Sequence, residues 1–352
     1  MKFCEFLCTM SILCNRTRKP MKTMSWAYRS SLAGTRPGRL LLITMLLLML
    51  LSPMEGEAVE NRVYERDTAL FSGRSYIAYT PRSFSVVNGV VTPAHASGVE
   101  SDLRMLRRYF DGLVTYSAVN GLEKIPEIAK KTGFRALVLG LWDPLSPGEL
   151  ENLIKAIKAY PDLIAAVIVG NEGLYSKRYG PDAVAQAMKK IKAVFPKTPV
   201  ATSEPFFFYM DPSYVRFFSG FDFLAPNVHP VFEPWFKPEN AEQAVSMVIQ
   251  VVGKMKEFYG KPVLVKETGM PSGPETRGFT RERQALFWNN LKKMWPSSPD
   301  HAYVCFEAFD ASWKPSVMAE TFPGDHTAEG FWGFFSSDGT PKPVLKFMPV
   351  IP

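Results

Sequence analysis

The sequence predicts an α/β fold, and more specifically a (β/α)8 TIM barrel over residues 73–346. Apolar runs typical of strands alternate there with amphipathic stretches typical of helices, each pair spanning about 30–40 residues. Eight such pairs match the roughly 250 residues of a closed parallel barrel. An open doubly wound sheet is the alternative, but no glycine-rich phosphate loop follows the first apolar run.

The strand candidates are continuous apolar runs, a pattern typical of strands buried on both faces of a parallel sheet. They cover residues 75–79, 112–116, 135–141, 164–170, 198–203, 221–228, 262–266 and 302–308. Apolar residues at helical spacing predict helices between them, over residues 121–132, 147–159, 182–193, 239–259 and 281–294. Gly133 marks one helix end, and Ser146 with Glu149 forms a capping box, with proline at the first helical position.

The first 58 residues have the pattern of an export signal. A basic segment precedes the apolar run Leu40–Leu51, which is shorter than a comfortable membrane span, and a small-residue cleavage site follows. We therefore expect a secreted or periplasmic protein; an uncleaved anchor that tethers it to a membrane is the alternative. Residues 59–72 form a polar linker. The proline-rich end from about residue 338, with the tail 347–352, is predicted to pack loosely.

The charge distribution and the cysteine content limit the kinds of partner and cofactor that the sequence predicts. The net charge is +7, but residues 1–58 hold eight Lys/Arg and three Glu, a net of +5, which leaves +2 for the remainder. No basic stripe remains for phosphates, so we expect no nucleic acid partner. Cys305 is alone after the apolar run and is typical of a small buried hydrophobe. No metal-ligand spacing is present, so we expect no bound metal. We also expect a monomer that needs no organic cofactor.

Two glutamates follow buried strand candidates. Glu172 ends the run Val167–Glu172, and Glu267 follows Val263–Lys266. The carboxyl ends of the strands are where α/β barrels carry their chemistry. A carboxylate pair across a cleft serves glycoside hydrolysis, one as acid and the other as nucleophile or base. The alternative is that both are ordinary solvent-facing residues at strand ends.

The other strand ends supply polar and aromatic side chains suited to a sugar. Flat C–H faces of sugar rings stack on aromatic groups, and sugar hydroxyls need charged or amide partners. Phe206–Phe208 are better explained as packing at the barrel rim. The candidate substrate-binding residues are Tyr79, Tyr116, Asn171, Asn227, His229, Glu307, Asp310, Trp313, Lys314, Glu329 and Trp332.

Seven segments, in order, carry a resemblance to a known family. The sequence resembles glycoside hydrolase family 17, the β-1,3-glucanases, in its bacterial-type single-domain form, over roughly residues 73–346. Asn-Glu alone is a weak signal, whereas seven ordered segments are a specific one. The segments are Tyr76–Tyr79, Val114–Ser117, Val169–Glu172, Ala225–Pro230, Val265–Ser272, Phe306–Asp310 with Trp313 and Lys314, and Glu329–Phe335.

The resemblance implies a retaining hydrolase of β-1,3-linked glucans. Glu172 would be the acid/base, Glu267 the nucleophile and Asn171 a hydrogen-bond donor to the sugar 2-hydroxyl. Retention implies carboxyl groups about 5–5.5 Å apart and a covalent glycosyl-enzyme intermediate. The pKa of Glu172 should be raised, while Glu267 stays ionised. The same intermediate allows the alternative of a β-1,3-glucanosyltransferase that remodels envelope glucans.

Three positions differ from the residues that the family usually has there. Met270 replaces a common tryptophan, His229 a frequent tyrosine, and Ala311 a frequent acid. These changes affect subsite preference and rate more than reaction class. Glu307, Lys314 and Glu329 would support the cleft or, alternatively, form an ion-pair network that braces the last strand. The non-enzyme alternative is a glucan-binding barrel without catalytic activity. It predicts that one of the two catalytic glutamates has been lost, but Glu172 and Glu267 are both present.

Overall fold

The computed structural model describes Phe71 and residues 73–351. The predicted export signal, the apolar run that would tether the protein and nearly all of the predicted linker lie outside the described residues. Within residues 73–351, no helix combines the length and apolar composition needed to cross a membrane.

The strands of the described residues are β1 Tyr76–Ala78, β2 Ser85–Val87, β3 Val90–Thr92, β4 Gly112–Val114, β5 Ala136–Leu141, β6 Ile164–Asn171, β7 Val200–Ser203, β8 Val263–Val265 and β9 His301–Cys305. Seven of them form a curled parallel sheet at the centre of the fold, in the order β7-β6-β5-β4-β1-β9-β8. These strands pair in parallel register, for example Ile77 with Leu113 and Leu113 with Leu137. A short antiparallel hairpin, β2 and β3, is inserted after β1.

The sixth predicted strand, 221–228, is not a regular strand. Three isolated parallel bridges replace it: Leu224 pairs with Val263, and Asn227 pairs with both Pro205 and Glu267. Pro226 lies between them and has no N–H to donate to a ladder. The segment still joins the β7 side to the β8 side, so the sheet closes into the predicted TIM barrel.

Helices alternate with the strands, as the periodicity predicted. The helices are α1 Ala96–Leu106, α2 Ile125–Lys131, α3 Pro147–Ala159, α4 Pro181–Val194, α5 Phe206–Tyr209, α6 Val215–Ser219, α7 Ala241–Tyr259, α8 Arg281–Met294 and α9 Lys314–Thr321. Short 3-10 turns cover Leu122–Lys124, Pro230–Phe232, Glu275–Arg277, Thr327–Phe331 and Pro343–Phe347. Ser146 caps α3 through the N–H of Glu149, as predicted.

The second half of the predicted capping box was wrong. The Glu149 side chain does not accept a hydrogen bond from the Ser146 N–H. Its buried carboxylate instead accepts hydrogen bonds from Ser117 Oγ and the N–H groups of Ala118, Trp142 and Asp143. Those donors lie in the loops after β4 and β5. One carboxylate therefore joins two loops at the edge of the barrel that bears the polar strand ends.

The barrel interior is filled by apolar side chains from alternate strand positions. Val138, Ile168, Leu264 and Val304 belong to one buried cluster. Cys305 is buried, and burial raises the pKa of its thiol, which confirms its reading as a small hydrophobe.

The end of the chain packs more closely than predicted. Val344 and Leu345 are buried in the turn Pro343–Phe347, and Lys292 of α8 donates to the carbonyl of Phe347 at 2.8 Å. The Ile351 N–H donates to the Arg108 carbonyl at 2.8 Å. The proline-rich end is thus attached at several points, because its apolar residues cover α8.

Candidate active site

Glu172 directly follows β6, at a sharp turn. Gly170 and Glu172 have φ angles of +83° and +50°. Glycine adopts this left-handed region freely, whereas it is uncommon for a glutamate. The Glu172 N–H donates to the Ser203 carbonyl, and its carbonyl accepts the Ser176 N–H, at 2.8 and 2.9 Å. Neighbouring elements therefore hold Glu172 in an uncommon conformation, as is typical of functional positions.

A chain of hydrogen bonds connects the two glutamates. Asn227 Nδ2 donates to Glu172 Oε1 at 2.8 Å and lies 3.4 Å from Asn171 Oδ1. Lys266 Nζ donates to the same Asn171 oxygen at 2.5 Å and to Glu267 Oε1 at 2.9 Å. The structure thus brings Glu172, Glu267, Asn171 and Asn227 together, as the sequence predicted. The predicted distance of 5–5.5 Å between the carboxyl groups stays a prediction.

Glu267 has cationic and polar partners on both oxygens. Lys266 contacts Oε1, and His229 Nε2 lies 3.3 Å from Oε2. His229 is enclosed by aromatic rings, with Trp332, Phe306 and Phe232 at 5.1, 5.4 and 5.6 Å between ring centroids. These walls fix the imidazole beside the carboxylate.

The surroundings shift the two glutamates in opposite directions. Burial, and then the negative charge of Glu267, raise the pKa of Glu172 despite the hydrogen bond from Asn227. Burial would also raise the pKa of Glu267, but Lys266 and His229 together outweigh it and hold that pKa well below its usual value. Near neutral pH the first is therefore suited to be an acid and the second to be a nucleophile.

Tyr116 and Lys266 form the floor of the site. The Lys266 ammonium lies 4.0 Å from the centroid of the Tyr116 ring, a cation–π contact. The buried Tyr116 hydroxyl faces Glu267 without making an ideal hydrogen bond. Burial, and then the charges of Glu267 and Glu307, keep the pKa of this hydroxyl well above its usual value, so it stays a neutral donor.

The ion pair of Glu307 and Lys314 lies beside the Glu267–Lys266 pair, as the sequence suggested. Lys314 Nζ donates to Glu307 Oε1 at 2.5 Å. Burial raises the pKa of Glu307, and the charge of Lys314 only partly offsets this. Trp332 Nε1 donates to Glu329 Oε2 at 3.1 Å, and the Trp332 carbonyl accepts the Glu307 N–H at 3.2 Å. The buried Glu307–Lys314 pair and the tryptophan together form one wall next to His229.

Three predicted substrate-binding residues have other partners. The Tyr79 hydroxyl donates to Asp102 Oδ2 at 3.1 Å. Asp310 Oδ1 accepts from Lys342 Nζ at 2.6 Å. In the described part of the chain, no hydrogen bond, ion pair or ring contact joins Tyr79, Asp310 or Trp313 to either catalytic candidate. Trp313 instead lines a pocket of about 140 Å³ that it shares with Glu307.

Two residues in or beside the site, Lys266 and Glu204, were not among the candidate binding residues. Lys266 was read only as part of a motif, yet it contacts both Asn171 and Glu267. Glu204 is fully buried and accepts the N–H groups of Leu174 and Tyr175 at 2.9 and 3.1 Å, just beyond Glu172. Burial is the main cause that raises the pKa of Glu204 to about 7, although the two N–H groups oppose it.

The arrangement places one carboxyl group with a raised pKa and one with a lowered pKa beside amide donors and aromatic walls. Among residues 73–351, no cluster of three or more His, Cys, Asp or Glu side chains could hold a metal ion. A pair of carboxyl groups with opposite pKa shifts is the arrangement used in acid and nucleophilic catalysis.

Comparison with protein families decides the assignment of the chain. The sequence model of the BtgE/BtgC glycoside hydrolase domain matches residues 76–333, more than half of the chain. The chain belongs to this family. The matched range contains β1 to β9 and every candidate site residue.

The chain is also similar to a named relative and shares its fold with solved structures. A glucan 1,3-beta-glucosidase of Arthroderma benhamiae is 26% identical over 261 residues, which are 69% of this chain and 82% of the relative. A glycoside hydrolase family 17 beta-1,3-glucanosyltransferase of Rhizomucor miehei shares the fold with a TM-score of 0.57 at 22% identity, covering 78% of this chain and 98% of the other. An endo-laminarinase of Formosa shares it with a TM-score of 0.65 at 17% identity, covering 80% and 88%.

The three departures noted in the sequence lie at different depths in this BtgE/BtgC-type barrel. Met270 is fully buried, and Ala311 is nearly so. His229 contacts the nucleophile candidate directly. Of the three, His229 is therefore the one with a direct effect on the charge of Glu267.

Proposed function

We propose that this protein is a retaining glycoside hydrolase of the family 17 type that cleaves β-1,3-glucosidic bonds in β-glucans. One observation carries the proposal: Glu172 and Glu267 belong to one hydrogen-bond network, yet their pKa values are shifted in opposite directions. An acid and a nucleophile flanking one bond are the equipment of a retaining glycosidase.

The first step of the proposed reaction forms a glycosyl-enzyme. Glu172 gives its proton to the glycosidic oxygen while the Glu267 carboxylate attacks the anomeric carbon, so the carbon–oxygen bond to the leaving sugar breaks. Asn171 accepts from Lys266 through Oδ1, which leaves its Nδ2 to donate to the sugar 2-hydroxyl. Lys266 and His229 keep the attacking carboxylate ionised until the bond forms.

The second step releases the sugar with its original configuration. Glu172, now ionised, removes a proton from water, and the oxygen of that water replaces Glu267 on the anomeric carbon. Glu172 is thereby reprotonated and Glu267 returns as a carboxylate. If a sugar hydroxyl takes the place of the water, the product is a longer glucan.

The substrate class rests on the relatives. The Arthroderma relative is named for action on 1,3-beta-glucan, and the Rhizomucor structure is a glucanosyltransferase of the same linkage. The latter supports the second candidate function, a β-1,3-glucanosyltransferase that uses the same two glutamates. The exposed ring of Phe232, which packs edge-on against the buried Trp332, suits the face of a glucose ring in either case.

The test is a time-resolved product profile on reduced laminarihexaose. Wild type should give shorter products of retained β configuration, and Glu267→Ala and Glu172→Gln should lose at least about 10³-fold in kcat, a loss expected when a catalytic group is removed. Glu151→Ala, an exposed glutamate on α3, is the matched control and should retain full activity.

The alternatives give different outcomes. Products longer than the donor would assign the transferase. Folded wild type that turns over no β-1,3-, β-1,6- or mixed-linkage glucan would refute the enzyme and favour a glucan-binding barrel.

The cellular setting is proposed from the sequence. The basic segment and the apolar run Leu40–Leu51 support export to a secreted or periplasmic location, with a membrane tether as the alternative. Cell fractionation with an epitope placed at the C-terminus distinguishes a released form from a membrane-bound one.

A further inference from the structure

Helix α9 is weakly anchored compared with the other long helices. Lys314–Thr321 has no buried residue, whereas α7 and α8 each bury several apolar side chains. A helix held by few buried contacts opens at a small cost in free energy. Along its length α9 also contacts β2 and the turn Thr327–Phe331, but through half-buried side chains, so the contacts at its two ends contribute much of what holds it.

The first end of α9 is fixed beside the site. Lys314, the first residue of α9, pairs with the buried carboxylate of Glu307, two residues beyond β9. Trp313 packs edge-on against Phe84 at 5.8 Å between ring centroids. This end therefore belongs to the β9 side of the barrel.

The second end of α9 reaches the opposite side. Phe322, which ends the helix, stacks on Tyr175 with ring centroids 5.0 Å apart and planes 18° from parallel. Tyr175 lies three residues beyond Glu172, in the loop after β6. Three strands lie between β6 and β9 in one direction around the barrel, namely β5, β4 and β1. Three segments lie between them in the other direction, namely β7, the bridged segment at Leu224 and Asn227, and β8. The two ends of α9 therefore contact opposite sides of the barrel.

Tyr175 is itself well supported. Its N–H donates to the buried Glu204 at 3.1 Å, and its ring meets Phe207 and Phe208 edge-on at 5.8 and 6.2 Å. Tyr175 as a whole residue is still 40% exposed. A fixed aromatic platform thus holds Phe322 from the far side of the site.

We propose that the Tyr175–Phe322 stack is a specificity-determining latch that holds α9 across the carboxyl-end face of the barrel. The proposal rests on the proposed function. With the latch closed, the middle of a long glucan cannot enter from the side, so chain ends and short oligosaccharides are the favoured substrates. With the latch open, α9 swings away and internal bonds of a polymer become accessible.

The size of the effect follows from the strength of the contact. The loss of an aromatic pair changes an equilibrium constant by roughly two- to tenfold. Because the latch affects entry rather than the glutamates, its loss should raise kcat/KM for a polymer and leave that for a short chain nearly unchanged. The ratio of the two values should therefore rise by roughly two- to tenfold.

The experiment compares kcat/KM on a linear β-1,3-glucan polymer with kcat/KM on laminarihexaose. Tyr175→Ala and Phe322→Ala should both raise the polymer-to-hexaose ratio, whereas Tyr175→Phe keeps the stack and should match wild type. The matched control is Phe258→Ala, which removes a ring of similar exposure, 48%, from the end of α7. Amide hydrogen exchange over residues 314–322 should accelerate in the two latch variants alone.

Each outcome decides a different point. Exchange that does not accelerate, or a ratio that stays at the wild-type value although exchange accelerates, would overturn the latch. Wild type that cleaves neither glucan would instead refute the proposed function, and the exchange rates would still show whether the stack holds α9.

Discussion

Lys266 is the residue whose replacement most directly tests the electrostatics of the site. Its side chain is 1% exposed, and its ammonium lies 2.9 Å from Glu267 Oε1. At that distance two unit charges attract each other by about 6 kcal/mol if the effective dielectric constant is about 20, an upper bound of about four pKa units. Observed shifts caused by one close opposite charge are roughly one to three units. In Lys266→Met, we therefore expect the pKa of Glu267 to rise by roughly that amount.

The pH profile of kcat/KM reports this change. Its acidic limb follows the ionisation of the nucleophile in the free enzyme. Because Lys266 lowers the pKa of Glu267 in the folded protein, its removal should move the acidic limb to higher pH by roughly one to three units. Lys266→Arg keeps the positive charge and should keep the limb near its wild-type position.

Stability should change with pH in a defined direction. A carboxylate with a lowered folded pKa contributes stability above its unfolded pKa and loses that contribution as the pH falls through the folded value. The loss of unfolding free energy in Lys266→Met, about 3–5 kcal/mol for a broken buried pair, should therefore be fully present at neutral pH and shrink in acid.

Lys342→Met is the matched control for Lys266→Met. Lys342 is equally buried and pairs with Asp310 and Ser272, but contacts neither catalytic candidate. Both variants lose a buried ammonium and should unfold more easily, whereas only the one at Lys266 should shift the acidic limb. Superimposable profiles for folded Lys266→Met and wild type would refute the role of Lys266.

Three further predictions test other contacts. Asn227→Ala removes a hydrogen bond that lowers the pKa of Glu172, so the basic limb of kcat/KM should move up by roughly one to two units; an unmoved limb would contradict this. The folded pKa of Glu204 is raised to about 7, so the folded state binds more protons than the unfolded state between pH 4.5 and 7. As the pH rises across that window, the unfolding free energy of wild type should therefore fall by up to about 3 kcal/mol relative to that of Glu204→Gln. Urea titration at several pH values measures this difference. Glu149→Ala strands four donors and should lower the unfolding free energy by about 3–5 kcal/mol, whereas Glu151→Ala on the same helix should change it by less than about 0.5 kcal/mol.

The sequence predicted the barrel because its strands are continuous apolar runs separated by capped helices. The helix Arg281–Met294 begins and ends where the periodicity placed it. The predicted strand 221–228 failed as a ladder because hydrophobicity does not report a missing N–H, which Pro226 lacks. Apolar content therefore predicted that this segment is buried, but the proline decided how it pairs.

The side-chain partners were harder to predict, because they depend on contacts distant in sequence. Asp310 was predicted to bind substrate, yet Lys342, 32 residues away, takes up its carboxylate. Tyr79 similarly bonds to Asp102, 23 residues on. Nothing in a local motif distinguishes a carboxylate or hydroxyl that faces a ligand from one that already has a partner.

Lys266 could have been found from the period of the strand. Side chains two residues apart on a strand share a face, and Leu264 belongs to the cluster that fills the barrel. Lys266 therefore continues the interior face one layer higher, where a lysine is costly to bury unless it is paired. Tyr116 follows Val114, another member of the cluster, in the same way, and its ring meets the Lys266 ammonium. The last interior layer of the barrel therefore places the Lys266 ammonium, supported by the Tyr116 ring, beneath the site. This positive charge explains why the buried Glu267 stays ionised beside Glu172.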